Sequence, residues 1–81
     1  MAEKIYRIQA SWDSEAGVWV AESEDVPGLA TEADTVERLT EKLRILIPEL
    51  LEANHLLRGQ HPEEISFELI SQRQEWVRLA S

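Results

Sequence analysis

Residues 5–21 read Ile5-Tyr6-Arg7-Ile8-Gln9-Ala10-Ser11-Trp12-Asp13-Ser14-Glu15-Ala16-Gly17-Val18-Trp19-Val20-Ala21. In the first half Tyr6, Ile8, Ala10 and Trp12 are apolar while Arg7, Gln9 and Ser11 between them are polar. This period of two is that of a strand with one face on a core and the other in water. Asp13 to Gly17 supplies turn formers, so a hairpin follows. The returning strand, Val18-Trp19-Val20-Ala21, does not alternate: Val18 and Val20 fall on one side, Trp19 and Ala21 on the other. Continuous apolar runs mark strands covered on both faces.

Downstream, Glu22-Ser23-Glu24-Asp25 leads to Val26-Pro27-Gly28, where Pro presets φ and Gly permits positive φ. A short third strand is expected through Leu29-Ala30-Thr31. Asp34-Thr35-Val36-Glu37 then reads as a helix start, with Asp34 or Thr35 as N-cap; if Asp34 is the cap, Glu37 can close a capping box. Val36, Leu39, Leu43, Leu46, Ile47, Leu50 and Leu51 form one apolar stripe at helical spacing. Ile45 lies about 180° from Val36 at 100° per residue, on the otherwise polar back. Pro48 cannot donate to the Arg44 carbonyl, which predicts a kink, while the resumed stripe predicts continuation to about Asn54. Arg58 to Pro62 is a connection, and Ile65-Ser66-Phe67-Glu68-Leu69 alternates as a fourth strand with Ile65, Phe67 and Leu69 inward. The tail, 71–81, either extends that strand past a bulge or forms a short helix.

The expected fold class is α+β, in the order β-β-β-α-β, as a single domain over 1–81. One helix covers one face of a small sheet and leaves the other to water or to a partner. The two-faced second strand therefore points to association between subunits, with Val18, Val20 and Ile45 as candidate interface residues. Size points the same way. Folds below roughly 70–80 residues usually need disulfides, a metal or oligomerisation, and this chain of 81 residues, at the edge of that range, has no Cys.

The chain carries 8 Lys and Arg against 16 Asp and Glu, a formal net charge of −8. No base lies between Arg7 and Arg38, whereas Asp13, Glu15, Glu22, Glu24, Asp25, Glu32, Asp34 and Glu37 all do. The remainder is neutral, so the net charge belongs to one segment. Such a field repels phosphate backbones and disfavours direct nucleic-acid binding; a basic protein is the natural partner. No run approaches the roughly 18 apolar residues of a membrane span, and Met-Ala-Glu-Lys-Ile-Tyr-Arg lacks an apolar leader. A cytoplasmic location is expected, with no membrane partner.

Chemistry is thin. Gly17, Gly28 and Gly59 form no phosphate-binding loop, and no cofactor is expected. His55 and His61, with Asn54, Glu63 and Glu64 nearby, lack the fixed spacing of a metal site and read as loop histidines. Asp13, Glu37 or Glu41, and Glu68 are the carboxylates from which a divalent-metal nuclease would be assembled, but each has an ordinary turn, cap or polar-face reading. No catalytic or metal-ligating residue is assigned. The Glu22, Glu24 and Asp25 cluster reads either as a solvated loop or as the acidic rim of a protein-binding surface anchored by Trp19.

The stretches Tyr6-Arg7-Ile8, Trp12 through Ala21 and Asp25-Val26-Pro27-Gly28-Leu29-Ala30-Thr31-Glu32-Ala33-Asp34-Thr35 together resemble the HicB-like antitoxin superfamily, over about residues 4–70. Within it the chain looks like a small single-domain branch of largely uncharacterised function. The resemblance implies a partial ribonuclease-H-like fold: three antiparallel strands, a helix across one face, and the fourth strand beside the first. It further implies an oligomeric antitoxin that neutralises a small basic ribonuclease toxin, HicA, without working ribonuclease-H carboxylates. Full HicB proteins add a helix-turn-helix or ribbon-helix-helix module at the C-terminus. None is expected within these residues, so the expectation is toxin binding without operator binding. A homo-oligomeric structural or small-ligand module with no toxin partner is the alternative.

Overall fold

A computed structural model describes residues 4–57 and 64–80. The elements are β1 (Ile5–Asp13), β2 (Val18–Glu22), β3 (Thr31–Ala33), α1 (Val36–Ala53) and β4 (Ser66–Gln72). They form one helix against a four-stranded mixed sheet in the order β3-β2-β1-β4, with β1 antiparallel to β2, β2 antiparallel to β3, and β1 parallel to β4. The α+β class and the β-β-β-α-β order expected from the sequence are those observed.

The β1–β2 hairpin closes where Gly17 N–H donates to the Asp13 carbonyl at 2.8 Å. The Asp13 carboxylate accepts from the amides of Glu15 and Ala16 at 3.0 and 3.2 Å. Gly17 has φ +69°, a conformation that a Cβ disfavours and that closes this turn.

Register assigns the faces. Trp12 pairs with Trp19 and Ala10 with Ala21, Ala21 with Thr31 and Trp19 with Ala33, and Tyr6, Ile8 and Ala10 with Phe67, Leu69 and Ser71. These side chains share the face under α1. Ile8, Ala10, Ala21 and Ala33 there join Leu39, Leu43, Ile47 and Leu51 of the helix, with Val26 and Leu29 from the loop, in the buried core. The three alanines let the helix lie close over β2 and β3, the strands it packs on most. Phe67 and Leu69 of β4 are consequently only half-buried.

Thr35 is the N-cap, its hydroxyl accepting from the Arg38 amide at 3.1 Å. The third helical residue is then Arg38, so Glu37 does not close a capping box. Asp34 instead lies 3.7 Å from Arg38. Helix α1 runs unbroken through Pro48 to Ala53, because buried Leu43, Ile47 and Leu51 clamp it on either side of the missing donor. At its end Leu56 N–H donates to the Leu51 carbonyl at 2.9 Å and His55 N–H to that of Glu52 at 3.1 Å. His55 has φ +58°. This is a Schellman cap with a histidine where glycine usually stands.

Two expectations about strands are corrected. The third strand is Thr31–Ala33, two residues later than Leu29 to Thr31, because Leu29 folds into the core behind a turn in which its amide donates to the Val26 carbonyl at 3.3 Å. The tail is neither helix nor bulged extension: β4 ends at Gln72, and 73–80 are exposed without regular structure. Among the described residues no helix is long and apolar enough to cross a membrane. The expected connection from Arg58 to Pro62 lies outside the described residues.

Candidate functional site

The face of the sheet opposite α1 carries Ile5, Arg7, Gln9, Ser11 and Asp13 of β1. Beside them stand Val18, Val20 and Glu22 of β2, Glu32 of β3, and Ser66, Glu68, Ile70 and Gln72 of β4, by the pairings Asp13–Val18, Ser11–Val20, Gln9–Glu22, Val20–Glu32, Arg7–Glu68 and Gln9–Ile70. Val20 is 37% exposed. Glu32 stands directly across from it and Glu22 two residues along on the same face. Glu24 is exposed in the following loop. Glu22, Glu24 and Glu32 make no ion pair among the described residues, whereas Glu68 lies 3.9 Å from Arg7 and Asp34 is taken by Arg38. The negative segment thus resolves into an acidic patch around an apolar valine at the β2–β3 end of the open face.

The other residues singled out in the sequence lie elsewhere. Trp19 is on the helix side of the sheet, half-buried, with its ring centroid 5.4 Å from that of Trp12 at 59°. It belongs to the core margin and does not share a face with Glu22. The Arg73 guanidinium covers the far side of that pair, 4.1 Å from the Trp12 centroid. Asp25 is half-buried, and its carboxylate accepts from the Arg7 amide at 2.8 Å. Ile45 is 64% exposed on the outer side of α1, beside Arg38, Glu41 and Lys42. The whole sheet and helix separate it from Val18 and Val20, so the three do not form one continuous surface.

The carboxylates considered for metal chemistry are divided in the same way. Asp13 and Glu68 sit on the open face, while Glu37 and Glu41 are exposed on α1. Asp13 is engaged by its turn and Glu68 by Arg7. No group of three or more His, Asp or Glu able to hold a metal occurs among the described residues. His55 serves as the helix cap, and His61 lies outside the described residues.

Sequence reasoning missed Glu32. Its signal was the alternation Thr31-Glu32-Ala33, visible only once β3 starts at Thr31 instead of Leu29.

A two-layer domain with a short acidic sheet edge is thus defined by fold and charge. The chain belongs to the family described as a domain of unknown function (DUF1902), which matches residues 5–81. Among solved structures it is similar to the crystal structure of hypothetical protein TTHA1013 from the extremely thermophilic bacterium Thermus thermophilus. The two are 46% identical, with a TM-score of 0.64 over 94% of this chain and 100% of that one. No curated protein matches the chain.

Proposed function

We propose that this domain is a non-enzymatic protein-interaction module of the HicB-like, antitoxin type. It binds a small basic partner, of the toxin-type ribonuclease class, through the open face of β2 and β3. The observation that carries the reading is the placement of Glu22, Glu24 and Glu32, exposed and unpaired among the described residues, around Val20. Interface surfaces typically combine a central apolar contact with a charged rim that steers the partner. The sequence resemblance supplies the class of partner, and the same acids oppose direct binding to nucleic acid. A divalent-metal nuclease is not favoured, since its carboxylates are spread over both sides of the molecule.

Steering by exposed charges is screened by salt, the Debye length shrinking from about 10 Å at 0.1 M to about 3 Å at 1 M. The test is the association rate with a small basic ribonuclease encoded by a neighbouring gene, measured at low and high salt. The expected result is binding whose on-rate falls steeply as salt rises. A salt-insensitive on-rate, or no binding, would overturn the reading.

A further inference from the structure

The tail leaves the domain with its apolar side chains in water. Trp76, Val77 and Leu79 are 88, 82 and 87% exposed, and no residue of 73–80 belongs to the core cluster, although Arg73 lies over the Trp12 ring. The molecule measures 62 × 26 × 19 Å, and its radius of gyration is 15.5 Å, against about 12 Å for a compact chain of this length. Residues 72–80, Gln-Arg-Gln-Glu-Trp-Val-Arg-Leu-Ala, contain no Gly, Pro, Asn, Asp or Ser, so nothing in them favours a tight reversal onto their own domain. Yet the family match runs through the tail to residue 81. It is part of the domain, and its apolar surface calls for a cover.

Beside it stands an unprotected edge. Strand β4 is the outer strand of the sheet, seven residues long with no Lys or Pro to discourage pairing. On the helix side its Phe67 and Leu69 are half-buried, and on the open side Ile70 is 43% exposed. Eight extended tail residues span roughly 27 Å at about 3.4 Å each, close to the length of β4 itself.

We propose that the tail of one chain pairs with β4 of a second copy, so that 66–80 forms one long strand antiparallel to its equivalent across a two-fold axis at Arg73. A two-fold normal to the sheet keeps both helices on one face and requires directly opposed residues to share a face. Arg73 sets the parity, since it lies over Trp12 on the helix side. Its neighbours of like parity, Val77 and Leu79, then fall opposite Leu69 and Phe67 of the partner. On the open face Trp76 falls opposite Ile70, and Arg78 opposite Glu68. Apolar meets apolar on both faces, and the charged pair away from the axis, Arg78 with Glu68, is of opposite sign. On the axis Arg73 meets its own copy, a like-charge pair that costs unless the two side chains part. Moving the axis one residue toward the N-terminus sets Glu75 against Leu69, and one residue toward the C-terminus sets Arg78 against Ile70. Each Arg73 is drawn off the axis toward its own Trp12 and Glu75. The second copy is thus specified by complementarity between two segments of the same chain. This interface is distinct from the acidic patch at the opposite sheet edge, and it does not rest on the proposed function.

The chain has no Cys, so single introduced thiols report cleanly. Opposed residues in an antiparallel pair have Cα atoms about 4.5–5.5 Å apart, within disulfide reach. Under mild oxidation Arg73→Cys is expected to cross-link to itself, and Leu69→Cys/Val77→Cys likewise. Gln74→Cys, whose equivalent is displaced along the partner strand, is expected to cross-link at least about tenfold less. The unmodified protein is expected to sediment at twice the 9.3 kDa of the chain. A monomer at about 100 µM, a concentration far above typical specific dissociation constants, would overturn the proposal. So would equal cross-linking at Gln74→Cys and Arg73→Cys. The double-cysteine variant keeps the test decisive if losing the Arg73 guanidinium disturbs the fold.

Discussion

The Asp25 carboxylate accepts a hydrogen bond from the Arg7 amide at 2.8 Å across 18 residues of sequence. Strand β2 ends at Glu22, opposite Gln9, so Arg7 has no backbone partner on that side. The loop substitutes for one: Ser23 Oγ donates to the Arg7 carbonyl at 2.6 Å and accepts from the amides of Asp25 and Val26 at 3.0 and 3.3 Å. Two side chains continue the ladder that the backbone abandons. This explains why one member of an otherwise solvated acidic run is half-buried, and it removes Asp25 from the charges free to meet a partner.

Losing this clip should loosen the β2–β3 connection without unfolding the domain. Asp25→Ala is expected to reduce stability by about 1–2 kcal/mol, as for a charge-assisted hydrogen bond open to water on one side. Ser23→Ala should cost a similar amount, and the double variant less than their sum because the groups share one network. Urea denaturation of the three variants measures this.

Helix capping gives a prediction of opposite sign. His55 occupies the left-handed conformation at the helix C-terminus, which disfavours any side chain and suits glycine. His55→Gly should raise stability by roughly 0.5–1 kcal/mol after the entropy of the freer unfolded chain is subtracted. At the other end Thr35→Ala should lower it by about 1 kcal/mol and Asp34→Ala by only a few tenths. Thermal melts distinguish the three.

The helix has an inner and an outer side two residues apart. Leu43 is fully buried and Ile45 is 64% exposed. Leu43→Ala is expected to cost about 2–5 kcal/mol through lost burial and the cavity left behind. Ile45→Ala should change stability by less than about 0.5 kcal/mol. Denaturant midpoints at fixed protein concentration check both.

Much of this architecture is legible in the residues. The alternation from Tyr6 to Trp12 assigns β1 and its inner face, and the unbroken run from Val18 to Ala21 announces that both faces of β2 carry apolar groups. The stripe from Leu39 to Leu51 outweighs Pro48, as the unbroken helix shows. Pairing between strands is what sequence periodicity does not carry. The period of two already sends Trp19 and Glu22 to opposite faces, but only the register sets Trp19 against Trp12 and Val20 against Glu32. Leu29 is apolar beside a turn, like a strand residue, but its side chain drops into the core and delays β3 to Thr31. The acidic patch appears only after both placements are corrected, when Glu32 comes to lie across from Val20.

Under the proposed function the open β2–β3 face, and not net charge alone, attracts the basic partner. Glu22→Lys/Glu32→Lys alters that face, while Glu37→Lys/Glu41→Lys makes the same change of charge on exposed α1 positions. The decisive measurement is the low-salt association rate of both variants with the basic ribonuclease partner. The expected result is a fall of about tenfold or more for the first variant, with the second close to the unmodified protein. Equal effects from the two variants, or none from the first, would contradict the account.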